Sequence, residues 1–182
     1  MTPSSLLAAA LGPDADALPA DRVAAESLCA EAPRLRRLVH RLLGWRSGAA
    51  DLDDVVQDVL LAAWRHRRTF RGDAALATWL TQIALRTVQN HVRRRTTRQR
   101  LVGWLVCEPA NQPNVDDERL DRTRAAMQRL PHGDREVLVL RYLEQRGIDE
   151  VAAVLACSRA AVDARLSRAR ARLRELLPPE AP

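Results

Sequence analysis

The chain of 182 residues contains no lysine, so all 29 of its basic side chains are arginines. Its three cysteines, Cys29, Cys107 and Cys157, lie far apart, with no C-x-x-C pair. That spacing excludes a disulfide framework, and the scattered His40, His66, His91 and His132 supply no zinc ligand set. No glycine-rich phosphate loop and no nucleophile–base pair with a supporting motif is present, so no catalytic residue, metal or cofactor is expected. No apolar run reaches the length that crosses a bilayer, and no charged segment followed by an apolar one opens the chain. The expectation is a non-enzymatic, cytoplasmic protein without membrane insertion.

What is present is a patterned charge. The formal net charge is +6. Residues 64–100 hold ten arginines against one acid, Asp73, while residues 51–63 hold Asp51, Asp53, Asp54 and Asp58 and no base. Residues 158–182 hold six arginines and three acids. Arginine presents a planar fork that fits phosphate and guanine edges. Two basic blocks beside an acidic stretch indicate two nucleic-acid surfaces and a separate protein surface.

The apolar periodicity is helical throughout, with no strand pattern. From Arg22 to Trp45, Val23, Leu28, Leu35, Leu38, Val39 and Leu42 fall at helical spacing, with Pro33 as a start or a kink. Asp51 is a candidate N-cap for a helix burying Leu52, Val55, Val56, Val59 and Ala63, with Asp54, Gln57 and Asp58 on the opposite face. Residues 65–73 break the period and read as a loop. A helix from about Ala75 buries Leu76, Trp79, Leu80, Ile83, Ala84, Thr87, Val88 and His91. Its polar face carries Arg86, Gln89, Asn90 and Arg93, and it runs on through Arg94 and Arg95. Trp64 and Trp79 are expected in packing. Prolines, asparagines and acids mark a linker before a second helical unit.

In that unit, Leu138, Val139 and Tyr142 mark one helix. Val151, Ala152 and Leu155, a turn at Ala156-Cys157-Ser158, and Val162 and Leu166 form a helix-turn-helix pattern. Ser158 is the expected N-cap of the last helix, which is expected to bury Val162, Leu166, Ala169, Leu173 and Leu176, and Cys157 plugs the turn. The second helix of such a motif lies in the major groove. Its outward residues here are Arg159, Asp163, Ala164, Ser167 and Arg168, with Arg165 and Arg170 flanking.

Two stretches carry a resemblance. DLDDVVQDVLLAAWRHRRTFRGDAALATWLTQIALRTVQNHVRRR is similar to region two of extracytoplasmic-function sigma factors of the sigma-70 family. RGIDEVAAVLACSRAAVDARLSRARARLREL, after LPHGDREVLVLRYLE, resembles their region four. The resemblance implies an all-α chain of two small domains: a leader over 1–20, region two over 21–97, a linker over 98–118, region four over 119–178 and a tail over 179–182. It implies that Asp54, Gln57 and Asp58 bind a coiled coil of the largest subunit of core RNA polymerase, with the polymerase flap as a further contact. Phe70, Arg71, Gly72, Asp73, Arg86, Gln89, Asn90, Arg93 and Arg94 would bind the minus-ten element. Ser158, Arg159, Asp163, Ala164, Arg165, Ser167 and Arg168 would bind the minus-thirty-five element. It also implies an anti-sigma factor as a partner and association with the nucleoid when in holoenzyme.

Three departures stand out. Leu85 and Arg86 occupy a position pair where the family often has Arg-Asn. Ala156 stands at the common turn glycine, which strains the turn if positive φ is needed. Asp163 replaces a frequent base, and its carboxylate repels phosphate while accepting from cytosine N4. The competing reading is a stand-alone helix-turn-helix regulator, which accounts for the second unit alone.

Overall fold

The computed structural model describes residues 19–45, 48–70, 76–102 and 118–177; within these, the side chains of residues 19–24, 69, 98–102 and 118 lie outside the description. Among the described residues every regular element is helical. Helix α1 spans Pro19–Leu43, α2 Ala49–His66 and α3 Leu76–Val102. Helix α4 spans Glu118–Arg129 and α5 His132–Leu138, followed by a wider turn of π type over Val139–Leu143. Helices α6 (Ile148–Leu155) and α7 (Arg159–Leu176) complete the order.

In the first half, α1 buries Ala25, Leu28, Ala32, Leu35, Leu38, Val39 and Leu42. Pro33 lies inside the helix on its exposed face, so it neither begins nor ends the element there. Helix α2 buries the whole expected stripe together with Leu60. Asp51 is not its N-cap. The helix starts earlier, with Gly48 as cap, and Asp51 ion-pairs with Arg95 (3.3 Å) of α3 while its carboxylate lies 3.1 Å from His91 Nε2. The expected loop after residue 64 is shorter than its charge suggested. Helix continues to His66, and a 3₁₀ turn follows over Arg67–Thr69. Arg67 donates to the Trp64 carbonyl and stacks 4.0 Å over the Trp64 ring, which holds that turn against α2.

Helix α3 buries Leu80, Thr81, Ala84, Leu85 and Val88, with Leu76, Trp79, Ile83, Thr87 and His91 half-buried. It persists to Val102, so the first residues of the expected linker are helical. The second half packs α5 against α7, where Asp134 ion-pairs with Arg172. Tyr142 lies in the π-type turn and is exposed.

The two halves are not independent bundles but share one hydrophobic cluster. At their junction sits Arg135, 9% exposed. Its Nη1 donates to the Leu42 carbonyl at 3.2 Å, at the C-terminus of α1. Its Nε and Nη2 donate to the carbonyls of Met127 (3.0 Å), Gln128 (2.8 Å) and Leu130 (3.2 Å), at and beyond the C-terminus of α4. Both ends carry unsatisfied carbonyls and the negative pole of a helix dipole. Burial lowers the guanidinium's pKa from its ordinary value, and neighbouring Glu136 opposes that shift. Gly44 makes room for it: its φ is +90°, and an added Cβ would stand 2.7 Å from Arg135 Nη1.

Replacing Arg135 by Met removes its bonds to four carbonyls, of which Met127's keeps the Leu130 amide, and is expected to lower stability by about 3 kcal/mol or more in urea unfolding. Gly44→Ala should also destabilise. A loss below about 1 kcal/mol for Arg135→Met would remove this residue from its structural role.

Candidate nucleic-acid and protein interfaces

Three surfaces gather the residues singled out by the sequence. On α2, Asp54, Gln57 and Asp58 are all exposed, opposite the buried stripe. Asp53 beside them is ion-paired with Arg36 of α1, which leaves those three side chains as the outward polar edge.

The second surface is the outer face of α3. Arg86, Gln89, Asn90, Arg93 and Arg94 are exposed. Their helix is fixed from beneath by Leu80, Ala84 and Val88 in the core and by the Asp51 contacts with His91 and Arg95. Leu85 is buried, so the departure at that position serves packing while Arg86 points outward. Phe70 is half-buried, its ring 5.4 Å from that of Trp79. Trp79 thus packs, as expected, but with an aromatic partner at the edge of the loop. Arg71, Gly72 and Asp73 lie outside the described residues.

The third surface is the helix-turn-helix formed by α6 and α7. Glu150 accepts from the Gly147 amide at 2.8 Å, fixing the start of α6. Ala156 adopts φ 49°, ψ 48°, the left-handed conformation that the sequence flagged as strained, and the Cys157 amide donates back to the Ala152 carbonyl. Cys157 is half-buried and packs against the core. Ser158 caps α7, its hydroxyl accepting from the Ala161 amide at 3.2 Å. Val162, Leu166 and Ala169 are buried, which turns Arg159, Asp163, Ala164, Ser167 and Arg168 outward and leaves Arg165 half-exposed at the flank. Arg159 is drawn to Asp149 of α6, at 3.2 Å to both carboxylate oxygens.

Sequence reasoning missed a set of polar groups between the halves. Arg146, 6% exposed, reaches from the second half onto the first turns of α3. Glu144, at the preceding bend, lies 2.7 Å from Arg41 and 3.8 Å from Arg34 of α1. Glu136 accepts from Gln89 at 2.8 Å. The one available signal was the charge of Asp134-Arg135-Glu136 at the head of an apolar run. His40, near the same junction, has its pKa lowered by burial and then by the positive charges of Arg36, Arg124 and Arg41. Leu120, Tyr142 and Leu143 are exposed apolar residues; with Trp45, Met127 and Leu173 they line a groove of about 520 Å³ rimmed by Arg41, Arg124 and Arg170. Among the described residues no helix is long and apolar enough to cross a membrane, and no cluster of His, Cys, Asp or Glu could hold a metal.

Comparison with known proteins gives consistent matches. The family model described as Sigma-70 region 2 matches residues 30–98, and that described as Sigma-70, region 4 matches residues 120–173. The chain is 38% identical over 140 residues to RNA polymerase sigma factor CnrH of Cupriavidus metallidurans, covering 70% of this chain and 73% of that one. It is 32% identical over 145 residues to ECF RNA polymerase sigma factor SigM of Mycobacterium tuberculosis, covering 79% and 74%. Among solved structures it resembles a chain of the sigma factor RpoE in complex with the anti-sigma factor NepR from Bartonella quintana. The TM-score is 0.69 at 27% identity, over 86% of this chain and 97% of that one. A chain of the structure of CnrH with the cytosolic domain of CnrY matches with TM-score 0.62 at 27% identity, over the whole of both chains.

Relief of the left-handed strain gives a direct check on the helix-turn-helix geometry. Ala156→Gly is expected to stabilise the protein by about 0.5–1 kcal/mol, the left-handed penalty less the added freedom of the unfolded glycine. Urea unfolding showing no gain would mean that position 156 is not held left-handed.

Proposed function

The chain belongs to the sigma-70 family of RNA polymerase sigma factors, in its extracytoplasmic-function group, and we propose that it divides the family's work among the three surfaces described above. It is a non-enzymatic initiation factor that binds core RNA polymerase, directs it to promoters and helps to open the DNA. In our reading region two spans residues 21–97 and region four residues 119–178, and the protein works in the cytoplasm and on the nucleoid.

Core docking falls to Asp54, Gln57 and Asp58. Exposed carboxylates on a rigid helix suit a basic partner, since complementary charge speeds encounter and fixes register. Capture of the minus-ten strand falls to Phe70–Asp73 and to the outer face of α3. Bases that leave the stack cost a few kcal/mol to extrude, and a polar helix face with Arg86, Gln89, Asn90, Arg93 and Arg94 offers both base and phosphate contacts. Reading of the minus-thirty-five duplex falls to α7 from Ser158 to Arg168. The observation that carries this reading is that two independently matched regions each present their polar residues outward on helices anchored by buried stripes. A stand-alone regulator would leave α2 and the outer face of α3 without a task.

The partner set includes an anti-sigma factor. The matched structures hold RpoE with NepR and CnrH with CnrY. The apolar groove between α1, α4 and α7, rimmed by arginines, fits an amphipathic helix with acidic edges from such a partner.

Run-off transcription with bacterial core polymerase on a promoter library should depend on added protein, and independence would overturn the reading. Gln57→Ala combined with Asp58→Arg should abolish core binding while leaving the helical circular dichroism unchanged. Asp163→Arg should change the preferred minus-thirty-five sequence; an unaltered preference in the library would remove Asp163 from base reading.

A further inference from the structure

Two neighbouring acids open α6, and only one of them serves that helix's own backbone. Glu150 accepts from the Gly147 amide at 2.8 Å and so closes the first turn. Asp149 turns instead toward α7. Both of its carboxylate oxygens lie 3.2 Å from Nη1 of Arg159, the first residue of that helix. The reach depends on the tight turn between the two helices, with Ala156 left-handed and the Cys157 amide bonded to the Ala152 carbonyl. Both side chains are exposed, so the pair adds little to stability. It does fix a direction.

The other arginines of α7 are held differently. Arg170 donates from Nε to the Leu166 carbonyl of its own helix, and Arg172 ion-pairs with Asp134 of α5. Arg165 and Arg168 make no hydrogen bond or ion pair among the described residues. A loose cation meets a phosphate from many angles, whereas a guanine edge requires two parallel donors aimed at O6 and N7. Arginine carries five N–H donors on a planar frame. With Nη1 turned to Asp149, the Nε–Nη2 edge of Arg159 keeps two parallel donors uncommitted. In a helix-turn-helix the N-terminal residues of the second helix meet the base edges, and Arg159 is the first of these. A carboxylate at that place repels phosphate in every sequence. A gain in DNA recognition from Asp149 therefore has to come through orientation.

We propose that Asp149 is a positioning residue for promoter reading: it holds the Nε–Nη2 edge of Arg159 toward the major groove, so that Arg159 selects guanine at one position of the minus-thirty-five element. The inference rests on the assignment of α7 to duplex reading. Asp149 touches no base; it lowers the ordering cost that Arg159 meets on binding. Arg165 and Arg168 supply phosphate contacts around it that do not depend on sequence.

The test reconstitutes holoenzyme from bacterial core polymerase and the full chain. Base preference at each position is read from run-off transcripts of a barcoded library randomised across the minus-thirty-five element. The parental chain should prefer guanine at one position, and Arg159→Ala should abolish that preference. Asp149→Ala should lower it about threefold or more, the scale of ordering one long side chain, and leave the other positions unchanged. In the Arg159→Ala background, Asp149→Ala should change nothing further, because its effect passes through the guanidinium. A merely structural role in starting α6 would instead relax every position and persist in that background; either result would overturn the proposal. So would an unchanged guanine preference in Asp149→Ala. If that variant does not fold by circular dichroism, Asp149→Asn, which keeps the size and removes the charge, decides by the same readings. A parental holoenzyme that transcribes but selects no guanine overturns the proposal and leaves the sigma-factor reading intact. No transcription at all overturns that reading, and this one with it.

Discussion

The arrangement of this molecule depends on where the carbonyls at the ends of two helices go. Helices α1 and α4 end close together, each leaving acceptors without helical partners and each presenting the negative end of its dipole. Arg135 answers both with one planar cation. A lysine has no equivalent fork, and a neutral side chain would leave the poles facing each other. The glycine at position 44 follows from the same constraint, because the chain must leave α1 left-handed and leave space for the guanidinium. Once that junction is set, α5 is fixed, α7 packs on α5, and the helix-turn-helix acquires its position relative to α3.

The junction also explains why the two halves are coupled but not fused. The apolar cluster is continuous across them, yet the contacts nearest the functional faces are glutamine–carbonyl, arginine–hydroxyl and glutamine–carboxylate pairs. Such groups exchange a protein partner for water or nucleic acid at small net cost, whereas stranding buried apolar surface would cost far more. A protein that must present one face to polymerase and two to DNA benefits from a junction made of exchangeable contacts.

The stripes of α2 and α7 were legible in the sequence because each is a property of one helix: Leu52, Val55, Val56, Val59 and Ala63, and then Val162, Leu166 and Ala169, are buried as their spacing requires, while Leu173 and Leu176 near the end of α7 are only half-buried. The Ser158 cap and the strain at Ala156 were legible for the same reason, being local. Asp51 was misread because its side chain is claimed by His91 and Arg95, partners far off in sequence. Arg135 and Arg146 could not be found by pattern at all: an arginine in a basic chain looks solvated until two distant helix ends are brought to it. The candidate DNA-facing residues of α3 and α7 were readable as polar faces, but the occupation of Gln89 by Glu136 was not.

The wider turn at Val139–Leu143 has a further consequence. An α-helix advances about 100° per residue, so one residue absorbed into a π-type turn changes the angular phase of everything after it. Here that change sets the direction in which the bend at Glu144–Arg146 leaves α5. With a regular helix in its place, the same sequence would deliver Glu144 and Arg146 to a different azimuth, away from α1 and α3. The turn is thus a phase adjuster: a single extra residue, costing little in helix stability, aims an entire DNA-binding motif at its neighbour.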